Sequence, residues 1–170
     1  MTDSPLRDTA FADLDQELDT TRRVLDRVPY DEHADWKPHE RSMSLGALAR
    51  HVAGLPRMAV ATLQTDELDL AGVRSPSDPV TSGADLLAVW DRNVVALREA
   101  LSGADDDTLS AEWALRHGER TLSADPRHLV IRRWALSHIA HHRGQLTVYL
   151  RLLDVPVPSV YGPTADERGV

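Results

Sequence analysis

The chain contains no cysteine. That absence removes disulfides, thiolate metal sites, iron–sulfur clusters and cysteine nucleophiles together, so any thiol chemistry needs a thiol from outside. Positive charge is also short: 19 Lys and Arg stand against 27 Asp and Glu, for a formal net charge of −8. The mean field repels phosphate backbones and anionic membrane surfaces, which argues against nucleic-acid binding. Long apolar runs are missing, and none approaches the roughly 20 residues of a spanning helix. The polar start, Met1 to Arg7, lacks the apolar stretch of a signal peptide. The chain therefore reads as cytoplasmic, with no membrane partner. No repeat at solenoid spacing is present.

What remains is ordinary globular material. The 170 residues, 42% hydrophobic and 27% charged, suit a single domain over 1–170. From Thr9 to about Val28, Phe11, Leu14, Leu18, Leu25 and Val28 follow the three-and-four spacing of one helix face. Pro29 and a polar stretch through Glu40 end this first helix, and Trp36 ahead of Pro38 suggests an extended connection. Ser44 can cap a second helix reaching about Gln64, in which Pro56 should kink or break the axis by deleting an amide donor. Residues 65–81, with Gly72, Pro76 and Pro79, read as a connecting loop. Ser82 and Asp85 resemble an acidic capping box for a third helix that Gly103 stops. Between Ala111 and Leu122, Trp113 and Leu115 alternate with polar residues, and His117 with Gly118 can form a hairpin turn. Asp125 and Pro126 look like a helix start, and a fourth helix then runs without a breaker to about Leu153, roughly 40 Å. Four amphipathic segments imply an all-α four-helix bundle, with a short hairpin or extended insertion between helices three and four.

Three of the eight histidines, His138, His141 and His142, fall in the fourth helix. At about 100° per residue, His138, His142, Gln145 and Tyr149 share an arc of about 80° with Trp134, while Arg143 points about 180° from Trp134. This stripe is expected to face inward. Histidines four apart present imidazoles from adjacent turns, a spacing that can grip one metal ion. Isolated histidine pairs are more often surface or hydrogen-bonded core residues. Here the second helix offers His51, three residues after Leu48 and four before Leu55, also in inward phase. Three neutral imidazoles from two helices would hold a divalent transition metal and leave a position open. His141 competes with His142, because three-residue spacing also serves bundle metal sites. The four-residue pair is preferred, with His141 at the stripe's edge. His33, His39, His117 and His128 are expected to be solvent-exposed. Gly144 should permit close packing or ligand approach. Trp134 and Tyr149 either line the site or pack in the core, and the cluster Arg127, Arg132 and Arg133 is read mainly as solvated surface.

The run from Trp134 to Leu146 (WALSHIAHHRGQL), continued through Tyr149, Val155 and Tyr161 to Glu167, resembles the DinB/YfiT-like metalloenzymes. So do Trp36-Lys37-Pro38, Ser42 to Gly46 and Leu48 to Gly54 around His51. That family is related to the amino-terminal domain of mycothiol-dependent maleylpyruvate isomerase. The resemblance implies a four-helix bundle, often homodimeric, with a divalent metal on three histidines, here His51, His138 and His142. Thr164 and Met58 stand where a serine and an aromatic are expected.

Zinc or nickel would lead among the metals, with iron or manganese next. Ile139 follows His138 where the helical zinc motif carries a glutamate base, and Gln145 cannot take a proton. A metal-bound thiol needs less help than water, because coordination itself favours the thiolate. The relatives therefore suggest transfer of a low-molecular-weight thiol, bacillithiol or mycothiol in type, to a small electrophile. The alternatives are metal-dependent hydrolysis of a small amide or ester, and a non-catalytic metal-binding stress protein that dimerises.

Overall fold

The computed structural model describes residues 3–72 and 79–167. Pro76, assigned above to the loop, lies outside them. In chain order the elements are helices α1 (Pro5–Ala10), α2 (Leu14–Asp26), α3 (Tyr30–His33), α4 (Leu45–Gly54) and α5 (Pro56–Gln64), then strand β1 (Glu67–Asp69). Helices α6 (Gly83–Ser102) and α7 (Asp106–Ser110) precede strands β2 (Glu112–His117) and β3 (Arg120–Pro126). Helix α8 (Arg127–Ile131) leads through a π-helical segment, Arg132–Ser137, into α9 (His138–Leu152).

Helix α6 packs on α2, α4 and α5, and α9 packs on α2 and α4, so four helical lines surround one core. Leu18 and Leu25 of α2, Leu48 and Val52 of α4, and Leu97 of α6 meet in it, all at most 1% exposed. Burying each such side chain is worth roughly 1.5–3 kcal/mol. The expected four-helix bundle needs correction, because the first and fourth lines, read as continuous, are broken as well as the second, and only the third line, α6, runs without interruption. The first line starts earlier, where Ser4 caps α1 by accepting from the Arg7 amide and Pro5 takes the first turn. It then breaks at Phe11, where Arg132 bonds both the freed Ala10 carbonyl and the Asp13 carboxylate. The second line divides at Leu55 and Pro56 as the proline requires, and Ser44 caps α4 through the Ala47 amide. Ser82 and Asp85 do cap α6, and the Asp85 carboxylate also accepts from the Thr81 amide and hydroxyl.

The fourth line is not a continuous α-helix either. Strand β3 runs through Asp125 and Pro126, so Asp125 bonds Ser123 and Arg133 in place of capping a helix. The hairpin of β2 and β3 forms as expected, and Gly118 carries the positive φ of 59° that a two-residue hairpin loop demands at its first position. Strand β1 lies in the segment 65–81, where the sequence predicts only a loop. It pairs in parallel with β2, and the Asp69 carboxylate accepts from the Gly118 amide at 2.8 Å, latching the hairpin to the bundle. A second apolar cluster of Trp113, Leu115 and Val130, with Met58, Leu68 and Trp134 against it, joins this sheet to α5 and the π segment.

The orientation of α9 departs most from expectation. Its core face is Ile139, Arg143, Leu146 and Leu150, and the histidine stripe lies half-buried on the flank. Arg143 is 1% exposed. It donates to the Glu17 carboxylate at 2.8 Å, to the Glu17 carbonyl and the Thr21 hydroxyl at 3.1 Å each, and to the Tyr161 hydroxyl at 2.6 Å. Tyr161 in turn donates to the Glu17 carboxylate at 2.9 Å, drawing the C-terminal segment onto the same pair. Gly144 is exposed, and an added Cβ would meet nothing within 4 Å, so it serves no close approach. Gly46 does: a Cβ there would sit 2.9 Å from the Ala34 carbonyl oxygen.

Replacing Arg143 by Met strands the buried Glu17 carboxylate, and urea denaturation should show a loss of about 3–5 kcal/mol. Tyr161→Phe, which removes one hydroxyl and leaves the ion pair, should cost about 1 kcal/mol in the same measurement.

Candidate metal centre

His51 lies near the C-terminal end of α4, a helix that Pro56 stops from continuing straight. His138 opens α9 and His142 follows one turn later. Their Nε2 atoms converge: His51 to His138 is 3.3 Å and His138 to His142 is 2.8 Å. The ring centroids lie 4.6–5.0 Å apart. All three rings are half-buried, and the candidate ligand atoms lie within 4.8 Å of one another.

The other ring nitrogens explain the aim of two of the imidazoles. His142 Nδ1 is 2.7 Å from Gln145 Oε1, an acceptor, so Nδ1 carries the proton and the Nε2 lone pair points at the cluster. His138 bonds the backbone carbonyl of Trp134. The π-helical segment ends at this point, and the His138 amide bonds the Ala135 carbonyl. Burial first, then the neighbouring His142 and His138, push His51 from 6.5 down to about 4, so it is neutral at pH 7. Burial, followed by His142, also lowers His138. Imidazole lone pairs aimed at one point repel each other unless a cation or a proton stands between them. This donor set fits a transition metal, and its lack of carboxylates disfavours calcium or magnesium.

The cluster borders a cavity of about 730 Å³, to which His51 and His138 contribute. Met58, Leu68, Leu115 and Trp134 form much of its apolar wall, so the small sheet encloses the site from one side. Two arginines, Arg50 and Arg57, also line it, and among the described residues no Asp or Glu does.

His51, His138 and His142 thus come together. His141 stays outside, exposed, its Nε2 3.3 Å from the Gln145 amide nitrogen. Trp134 lines the cavity, whereas Tyr149 packs edge-on against Trp36 at 5.6 Å. His33, His39 and His117 are exposed, but His128 is half-buried with Nδ1 2.9 Å from the Leu109 carbonyl. The basic cluster is structural more than solvated: Arg127 is buried, bonding the Thr62 and Thr65 carbonyls and Asp66, and Arg132 holds Asp13. Only Arg133, paired with Asp125, is largely exposed. Arg50 and Arg57 escaped the sequence reading. Their one signal was position, Arg50 preceding His51 and Arg57 following Pro56 at the break between α4 and α5.

The comparisons agree with this architecture. The sequence matches the DinB family over residues 1–168, and the chain belongs to that family. It is similar to the uncharacterized protein YrdA of Bacillus subtilis (strain 168), 26% identical over 153 residues, covering 89% of this chain and 85% of YrdA. A DinB-like protein from Bacillus cereus ATCC 10987 superposes with a TM-score of 0.70 at 23% identity, covering 89% of this chain and 95% of that one. The DinB-like protein YjoA from Bacillus subtilis gives 0.68 at 18% identity, covering 94% and 99%. At these identities the two structures establish a shared fold. No helix among the described residues is long and apolar enough to cross a membrane.

Gln145→Ala frees the His142 ring, and metal affinity measured against a chromophoric chelator should fall about tenfold to a hundredfold, with a smaller effect for His141→Ala. Acid should act through His51 in the metal-free protein. Between pH 6.5 and about 4 the unfolded chain takes a proton that folded His51 refuses, so stability is fully present above 6.5 and declines as pH falls. Urea midpoints from pH 7 to pH 4.5 should record that slope, and His51→Gln should flatten it.

Proposed function

We propose that the protein is a metal-dependent transferase of a low-molecular-weight thiol, with His51, His138 and His142 holding a divalent transition ion, zinc or nickel foremost. The observation that carries this reading is the convergence of three imidazoles, two of which line a largely apolar cavity that no described carboxylate shares. Such an ion, when bound, supplies positive charge that favours the thiolate form of a thiol and can polarise a carbonyl.

The protein's own residues do the rest. Three neutral imidazoles add no negative charge, so they leave the full positive charge of the ion to act. Gln145 and the Trp134 carbonyl hold two of the rings in the ligating orientation. Met58, Leu115 and Trp134 present apolar surface that disfavours water as a competing nucleophile. Hydrolysis calls for a base to take a proton from water, and Ile139, which stands after His138, is buried in the core. In thiol addition to an activated alkene, sulfur bonds one carbon and the thiol proton ends on its neighbour, so no further reactant is consumed. The sequence resemblance to a family related to the mycothiol-dependent isomerase domain supports a bacillithiol- or mycothiol-type donor, and family habit supports a cytoplasmic homodimer.

Elemental mass spectrometry on untagged protein should find about one metal per chain, lost in folded His51→Ala, His138→Ala and His142→Ala variants, with thiol consumption falling to background in each. Metal without turnover across thiols and electrophiles would favour the non-catalytic stress protein. Water-derived product would favour the hydrolase, and a protein that takes up no metal would end the proposal.

A further inference from the structure

Two arginines line the cavity beside the histidine cluster. In a chain with net charge −8, Arg50 and Arg57 line a space that no described acidic residue shares. Arg50 leaves α4 one residue before His51 and is exposed at the cavity, where its Nη1 bonds the Tyr30 hydroxyl. That hydroxyl donates to the Val80 carbonyl at 3.1 Å, so the guanidinium is anchored at one nitrogen. Its Nε and Nη2 edge makes no bond to a described carboxylate, and that edge matches the two oxygens of a carboxylate in a bidentate pair. Arg57, half-buried on the first turn of α5, adds positive potential to the same wall. Deeper in, the lining is apolar and aromatic, with Met58, Leu115 and Trp134 beside His51 and His138. A volume of about 730 Å³ lies within the range of roughly 300–1,000 Å³ common to small-molecule sites.

We infer that the cavity binds a small organic carboxylate with an apolar or aromatic body. The carboxylate pairs with Arg50, the body packs on Met58, Leu115 and Trp134, and the end remote from the carboxylate lies next to the histidine cluster. Arg50 sets this polarity, so the reacting end and the anionic end of the ligand are distinct. Calling this ligand the substrate rests on the thiol-transfer reading; the binding itself does not.

The probes are 4-phenylbutyrate and its neutral amide, titrated calorimetrically into zinc-loaded and chelator-treated full-length protein. The carboxylate should bind about tenfold or more tighter than the amide in both forms, the difference expected of a charge-assisted pair. Arg50→Gln should bring the two probes within about threefold of each other, with amide affinity unchanged. His142→Ala, which cuts the metal cluster without altering the cavity lining, should retain the preference. Equal binding of acid and amide, no binding of either, or a preference that survives Arg50→Gln would overturn the inference. So would a preference seen only with zinc, which would place the carboxylate on the metal. Preference retained in wild-type protein that takes up no metal would support the anion site while removing the thiol-transfer reading.

Discussion

The buried pairing of Arg143 with Glu17 decides which way α9 faces. A guanidinium out of water is costly unless its donors are met, and here they meet a carboxylate, a carbonyl and two hydroxyls. Only one rotation of α9 allows this. Turning the helix by even one residue, about 100°, would leave Arg143 without Glu17 and expel Ile139, Leu146 and Leu150 from the core. The same rotation puts His138 and His142 on the flank toward α4, where His51 waits. The polar network on one side of the helix therefore positions the histidine cluster on the other, with Tyr161 adding the C-terminal segment to the lock.

The π-helical segment, Arg132–Ser137, does a second, local job. A wider turn interrupts the α-helical pattern just before His138, whose imidazole bonds the Trp134 carbonyl within that turn. It also carries Trp134 into the wall of the cavity. The irregular segment of the fourth helical line therefore contributes both to the cluster and to the cavity wall. Gln145 provides for His142 what the Trp134 carbonyl provides for His138.

Sequence reading reached the elements whose causes are local. Pro56 breaks a helix wherever it falls, Ser44 and Ser82 cap through their own side chains, and Gly118 suits its turn without distant help. Bringing His51 to His138 and His142 was legible from the four-residue spacing on α9 and the neighbouring phase of His51 on α4, although the stripe sits beside the apolar face and not within it. What was not legible depended on partners far along the chain. Arg143 stands three residues before Leu146 and four after Ile139, in the apolar stripe, yet a charged residue there reads as surface until Glu17 is placed opposite. Strand β1 has three residues, too few for alternation to register, and exists through its parallel pairing with β2. The break at Phe11 needs Arg132, and the π turn leaves no mark in residue periodicity.

Charge at the cluster follows from burial more than from the composition of the whole chain. A net charge of −8 attracts cations, but salt screens that field within about 8 Å at physiological ionic strength, so it cannot select one ion over another. Selection belongs to the donors. Burial holds His51 neutral and its nitrogen available to a metal at pH values where an exposed histidine is half protonated. An all-imidazole set then prefers borderline transition ions over hard, oxygen-seeking ones, whichever is more abundant. With no carboxylate among the three, the charge of a bound ion is left uncompensated by its ligands. An anionic partner is then the group best suited to balance it, and the arginine-lined cavity opens beside that point.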